Sequence, residues 1–170
     1  ATDLKGSFTI SMWISPEKEP VRTYMGIIDD GYAAHGVFHR ILLGDDGGWV
    51  EGALLTQFHG NFFSSSGVVW DTWNHIVYVY DEDANLQTYY INGIMSGSIA
   101  GSMRDCMMDG HRMLIGAVYD ERYSFFGMMD EIRIYDRALP KEAVLDLTRM
   151  GMEIAEYHFE VKVLISGLRM

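Results

Sequence analysis

The 170 residues contain one cysteine, Cys106, so no internal disulfide framework can form. A catalytic thiol needs a base beside it, and the neighbours of Cys106 supply none. It reads as a buried or loop thiol. Prolines number three against 18 glycines, which suits strands joined by tight turns. Basic side chains are scarce: 13 Lys and Arg against 24 Asp and Glu leave a net charge of −11. Nucleic acid, whose phosphates need a basic face, is argued against. So is attraction to an anionic membrane surface. A cation, a neutral glycan or a basic protein is permitted, and the plain alternative is an acidic surface that keeps the chain in solution. No apolar run approaches the roughly 20 residues of a membrane span, so no membrane insertion is expected. The opening ATDLKGSFTI lacks the basic and apolar stretches of a signal peptide. It starts on Ala1 without an initiator methionine, which suggests a processed chain or a domain excised from a larger one.

What is present is a chain of strands. In SFTISMWIS, Phe8, Ile10, Met12 and Ile14 alternate with Thr9, Ser11, Trp13 and Ser15. YMGII, VFHRILLG and WVEGALLTQF follow, separated by DDGYAAHG and DDGG, and NFFSSSG reads as a loop or irregular edge. In WNHIVYVYD, Trp73, His75, Val77 and Val79 share one face and Asn74, Ile76, Tyr78 and Tyr80 the other. LQTYYI returns to a type I′ hairpin at Asn92-Gly93. HRMLIGAVY and MMDEIRIYD are further strands around the exposed loop DERYSFFG. Pro140 suits the first position of a short helix, Lys141 to about Met150. EIAEYHFEVKVLI then reads as strand, with Tyr157 and Phe159 on one face. Short antiparallel strands, one short helix and no βαβ alternation predict an all-β two-sheet sandwich. Phe8, Ile10, Ile14, Val77, Val79, Ile132 and Ile134 are its expected core.

Catalytic chemistry finds little support. Paired carboxylates on one strand face, as a retaining glycosidase needs, do not occur as a run. EDAN and DDGG are turn chemistry. The histidines are scattered, without a metal-binding pair on a helix. Aromatics and polar groups crowd one loop instead: Tyr119, Asp120, Arg122, Tyr123 and Phe125. Ring stacking on a sugar face with flanking polar side chains is what glycan binding needs, and protein interfaces use the same residue types. That loop is the candidate ligand-facing edge; ordinary core and rim packing is the alternative for each ring.

Four stretches in order resemble the laminin G-like, concanavalin A-like jelly-roll family. They are FTISMWISP, WDTWNHIVYVYD, LQTYYINGIMSGS and LIGAVYDERYSFFGMMDEIRIYDRAL, together covering roughly residues 6–147. The resemblance implies a jelly-roll sandwich that acts as a non-catalytic recognition or adhesion module for a glycan or protein ligand. It implies an extracellular, cell-surface or particle-surface setting within a larger chain or assembly. A structural module of a surface or virion assembly, and a polysaccharide hydrolase or lyase of the same fold, are the alternatives. It places His75 inside the sandwich as a satisfied core histidine. It also implies that Asp130 helps hold a structural Ca²⁺, since a carboxylate with carbonyls and water suits that ion. The competing reading has Asp130 accept backbone hydrogen bonds at a turn while Glu131 pairs with Arg133 or Arg137. Finally, the family opens with a strand like IAEYHFE, which here stands at residues 154–160. Residues 1–170 are therefore expected to form one domain, with 152–170 a displaced terminal strand completing the sandwich. The strand either folds back into its own sandwich, with the 149–153 connection and its Gly151 as the turn, or exchanges into a neighbour.

Overall fold

The computed structural model describes residues 6–18, 24–29, 40–44, 52–58, 61–101, 113–118 and 123–166. The first half runs β1 (Phe8–Pro16), β2 (Tyr24–Asp29), β3 (Arg40–Gly44), β4 (Ala53–Phe58), β5 (Asn61–Ser66) and β6 (Asn74–Asp81). It continues with β7 (Leu86–Ile91), β8 (Ile94–Ala100), β9 (Leu114–Ile115) and β10 (Ala117–Val118). The chain closes with β11 (Tyr123–Ser124), β12 (Gly127–Tyr135) and α1 (Lys141–Ser166). Two five-stranded antiparallel sheets form, one ordered β12-β1-β6-β7-β8 and the other β5-β4-β3-β2-β9, with β10-β11 as a small hairpin. The expected sandwich is therefore present. NFFSSS is a regular edge strand, and HRMLIGAVY is broken at Gly116.

Alternation makes the two faces of the first sheet. Phe8, Ile10, Met12 and Ile14 of β1 and Ile76, Tyr78 and Tyr80 of β6 point inward. They meet Met25, Ile27, Leu43 and Leu54 of the second sheet in the main core. The intervening residues would face water, but α1 covers them. Val77, Val79 and Tyr90 pack against Leu139, Val144 and Leu147 in a second apolar cluster. Both sides of β1 and β6 are thus buried, which explains why these strands carry so few charges. Asn92 (φ 52°) and Gly93 (φ 77°) make the type I′ turn between β7 and β8.

Two expectations need correction. Ile132 is 38% exposed, whereas Ile134 packs on the core. The cause is a bulge: Ser11 pairs with Arg133 but Trp13 with Asp130, so Glu131 and Ile132 together oppose Met12. Glu131 takes φ 51° there, and the extra residue throws Ile132 out of the inward phase.

The second correction concerns the C-terminal segment. Residues 141–166 form one 26-residue helix, so IAEYHFE is helical where a strand was expected, and the short helix near 140–150 is the first part of a longer one. Val144, Leu147 and Thr148, at helical spacing, are buried against the first sheet. Gly151, expected as a turn, comes next in that stripe and sits under Trp13. A helix so docked carries the chain through Gly151, and Met, Glu and Ala beyond it are good helix formers. Among the described residues, no helix is long and apolar enough to cross a membrane.

Candidate functional site

Asp130 lies on the bulge of β12, exposed. Its Oδ1 accepts the Glu131 N–H at 2.7 Å, which holds Glu131 in its left-handed conformation. Glu131 is ion-paired with Arg133 through Oε2 and the guanidinium, while Arg137 lies 3.7 Å from Asp136. One Asp130 oxygen is thus engaged, and the adjacent carboxylate is already matched by a cation. Among the described residues, no three His, Cys, Asp or Glu side chains converge as a metal cluster. These side chains fit a bulge anchor better than a calcium cradle, which needs six to eight oxygens.

The candidate loop is divided. Tyr119, Asp120 and Arg122 lie outside the described residues. Tyr123 pairs with Val118 across the β10-β11 hairpin and is half-buried. Phe125 donates its N–H to the Gly116 carbonyl at 2.7 Å, and its ring packs on the main core. That ring serves the fold, and Phe126 beside it is the exposed one, at 45%.

A buried polar chain lies under α1. Thr148 Oγ1 donates to the Val144 carbonyl at 3.0 Å. Its oxygen is therefore the acceptor for His75 Nδ1–H at 2.7 Å. His75 Nε2 then accepts the Ser11 Oγ–H at 2.8 Å. The Trp13 ring stacks on the imidazole with centroids 5.1 Å apart. Burial, helped by the Arg133 guanidinium, holds the His75 pKa down at about 4. Serine, histidine and a second hydroxyl follow one another in the order of a nucleophilic triad, but Thr148 carries no charge to stabilise an imidazolium. His75 and Ser11 are each 1% exposed, so no substrate reaches them. His75 is a satisfied, buried histidine as expected, but between sheet and helix rather than between the sheets.

The second sheet brings together residues that lie far apart in sequence. Asp29 stands directly opposite Arg40 in register, Arg40 opposite Gln57, and Gln57 opposite Phe62. Directly paired residues share a face. The neighbouring pair Ile28–Ile41 belongs to the main core, so this ladder is on the sheet's other face. Asp29 is 2% exposed, which puts its carboxylate in a sheltered position. Leu55 and Ala53 of the same face are buried as well. Sequence reasoning missed this ladder. Strict alternation in YMGIID puts Asp29 on the inward face of Met25 and Ile27, and the register shift between Gly26 and Ile28 that changes its phase is a tertiary feature.

Comparison with known proteins agrees with this architecture. The family model described as concanavalin A-like lectin/glucanases superfamily matches residues 1–145. No curated protein matches the chain. Among solved structures, it is similar to the CBM40 of the Ruminococcus gnavus IT-sialidase bound to alpha2,3 sialyllactose. The TM-score is 0.68 at 12% identity, over 84% of this chain and 83% of that one. Domain 4 of AbnA, a GH43 extracellular arabinanase from Geobacillus stearothermophilus, in complex with arabinotriose, gives 0.65 at 22% identity, over 86% and 69%. The SAP-like pentraxin from Limulus polyphemus gives 0.63 at 18%, over 84% and 69%. The chain spans 40% of the length of a similar Bacteroides ovatus protein, with TM-score 0.66 at 19% identity over 82% of this chain. These identities speak for the fold.

Proposed function

The chain belongs to the concanavalin A-like lectin/glucanases superfamily, and from that premise we propose that it is a non-catalytic module that recognises a glycan. The observation that carries this reading is the sandwich itself: two five-stranded antiparallel sheets, matched by the family model over residues 1–145, with α1 packed on the outer face of the first. Similar folds solved with sialyllactose and arabinotriose support the reading. A hydrolase reading gains nothing, since the triad-like chain is sealed. As part of the same proposal, the module works outside the cell or on a particle surface, within a larger chain or assembly.

A glycan array followed by titration calorimetry tests this. We expect Tyr119→Ala with Tyr123→Ala to weaken the best hit by about tenfold, near 1.4 kcal/mol, with little change in melting temperature. The β10-β11 hairpin packs beside β2, where Phe126 donates its N–H to Met25 Sδ at 3.3 Å. An affinity that the double variant leaves unchanged moves the site off this hairpin. Failure to retain any glycan overturns the reading and leaves a structural module.

A further inference from the structure

The chain holds a single Asn-Gly step, Asn92-Gly93, at the turn between β7 and β8, where the turn meets β6 and α1. Asn92 is half-buried and Gly93 buried. Asn92 donates its N–H to the His75 carbonyl at 2.7 Å, and its Oδ1 accepts the His75 N–H at 2.8 Å. Gly93 lies under α1: a Cβ added there would stand 3.0 Å from Leu145 Cδ2 and 3.4 Å from Thr148 Oγ1. Thr148 is hydrogen-bonded in turn to the His75 ring at 2.7 Å. His75 thus grips the turn with its backbone and the helix with its side chain. We propose that Asn92-Gly93 is a latent deamidation site that α1 keeps closed.

The step is labile because glycine has no Cβ to shield the amide that follows the asparagine. In the reaction the Gly93 nitrogen attacks Asn92 Cγ. The N–Cγ bond forms as that nitrogen gives its proton to solvent, and the Cγ–Nδ2 bond breaks as ammonia leaves. Water then opens the resulting succinimide at either carbonyl, leaving aspartate or isoaspartate at position 92. Water is the one co-reactant, and no electrons are exchanged. Asn61, Asn74 and Asn85 are followed by Phe62, His75 and Leu86, whose side chains shield the next amide.

The fold opposes the attack in two ways. The paired bonds to His75 hold both the backbone and the side chain of Asn92 against β6, so Cγ is not free to swing over the Gly93 nitrogen. The positive φ angles of Asn92 and Gly93 belong to one tight turn, and rotating the peptide between them drives Gly93 into Leu145 and Thr148. The reaction rate therefore follows the population in which the turn has opened. Lifting α1 opens it, because Leu145 and Thr148 leave together. Redocking does not reverse the change. Isoaspartate runs the main chain through its side-chain carbon, and that extra methylene breaks the turn on which Gly93 fits beneath the helix. The site converts a prolonged release of α1 into a permanent one.

Incubation in mildly alkaline buffer followed by peptide mass mapping tests this, with Asn61, Asn74 and Asn85 as internal references. We expect Asn92 to convert in the folded chain at least about tenfold more slowly than in urea. Leu147→Ala weakens an anchor of α1, and Leu145→Ala removes the contact on Gly93 from a half-buried position. Both should convert Asn92 faster than the native chain at an unchanged circular dichroism spectrum. Should Leu147→Ala not fold, Leu145→Ala makes the comparison. Chains converted in urea should refold to a lower melting temperature than unconverted chains refolded beside them. Folded chain that converts as fast as chain in urea overturns the proposal. So does a Leu145→Ala rate equal to the native one, or a converted chain that regains the native melting temperature.

Discussion

Trp13 lies directly against Gly151: a Cβ added at Gly151 would stand 2.3 Å from the indole Nε1. The contact joins β1 to α1, and it explains a glycine inside a helix. Replacing a helical glycine by alanine ordinarily stabilises by about 1 kcal/mol. Here we expect Gly151→Ala to destabilise by roughly 1–3 kcal/mol, because the indole must move or the helix must lift. Denaturant melts measure this. In a Trp13→Leu background the same substitution should become neutral or stabilising, since the obstacle is gone. A stabilising Gly151→Ala in the native background would refute the close packing.

His75 makes stability depend on pH. Its folded pKa, about 4, lies below the ordinary value of 6.5. The unfolded chain therefore binds the proton more tightly, and acid favours unfolding. The contribution is fully present above pH 6.5, falls as pH drops from there toward 4, and is lost below. Full loss amounts to about 3 kcal/mol. Among the described residues, the groups facing the ring are Ser11, Trp13 and Thr148, with Arg133 nearby. We expect His75→Gln to be less stable than the native chain at pH 7 but flatter between pH 6.5 and 4. Parallel pH profiles for the two proteins would assign the acid sensitivity to other groups.

Calcium at Asp130 has a direct competitor, the Glu131 amide that its Oδ1 already accepts at 2.7 Å. We expect Asp130→Ala to cost about 1 kcal/mol through loss of that hydrogen bond, with or without calcium. A ligand bound to the folded state raises the melting temperature by linkage. We expect millimolar calcium to leave the midpoint of a metal-stripped sample unchanged. A rise that Asp130→Asn abolishes would establish the metal instead.

Legibility in the sequence followed the range of the interaction. The alternation of β1 and β6, the Asn92-Gly93 turn and the pairing of Glu131 with Arg133 are local, and all can be read from residue order. The bulge at Glu131 could not, because glycine usually marks such a position and here a glutamate fills it. Gly151 read as a turn because its reason for being glycine, Trp13, lies 138 residues away. The Asp29–Arg40 pairing depends on how two strands joined by a ten-residue connection settle against the core, which periodicity does not reveal. The candidate loop, picked for its crowd of rings, put Phe125 on the core instead.

The helix makes a truncation series informative. Val144, Leu147 and Thr148 are its buried anchors, and Gly151 takes the last contact with Trp13 before Met152 and Glu153 emerge exposed. A helix leaves its last four carbonyls unpaired, so the cut must fall one turn beyond the contact to be protected. We expect a chain ending at Glu156 to stay folded, within about 0.5 kcal/mol of the full chain, because it keeps every one of these anchors. A chain ending at Pro140 uncovers Val77, Val79, Tyr90 and the polar chain around His75. Exposing side chains of that size costs roughly 1.5–3 kcal/mol each, more than a domain of this size can lose. That chain should aggregate or fail to melt cooperatively. A strand at 154–160 would give the opposite first result: the cut at Glu156 would then bisect it and bare a sheet edge. Sharp loss of stability at Glu156 therefore restores the strand, and tolerance there confirms that the sandwich is sealed by the first three turns of α1.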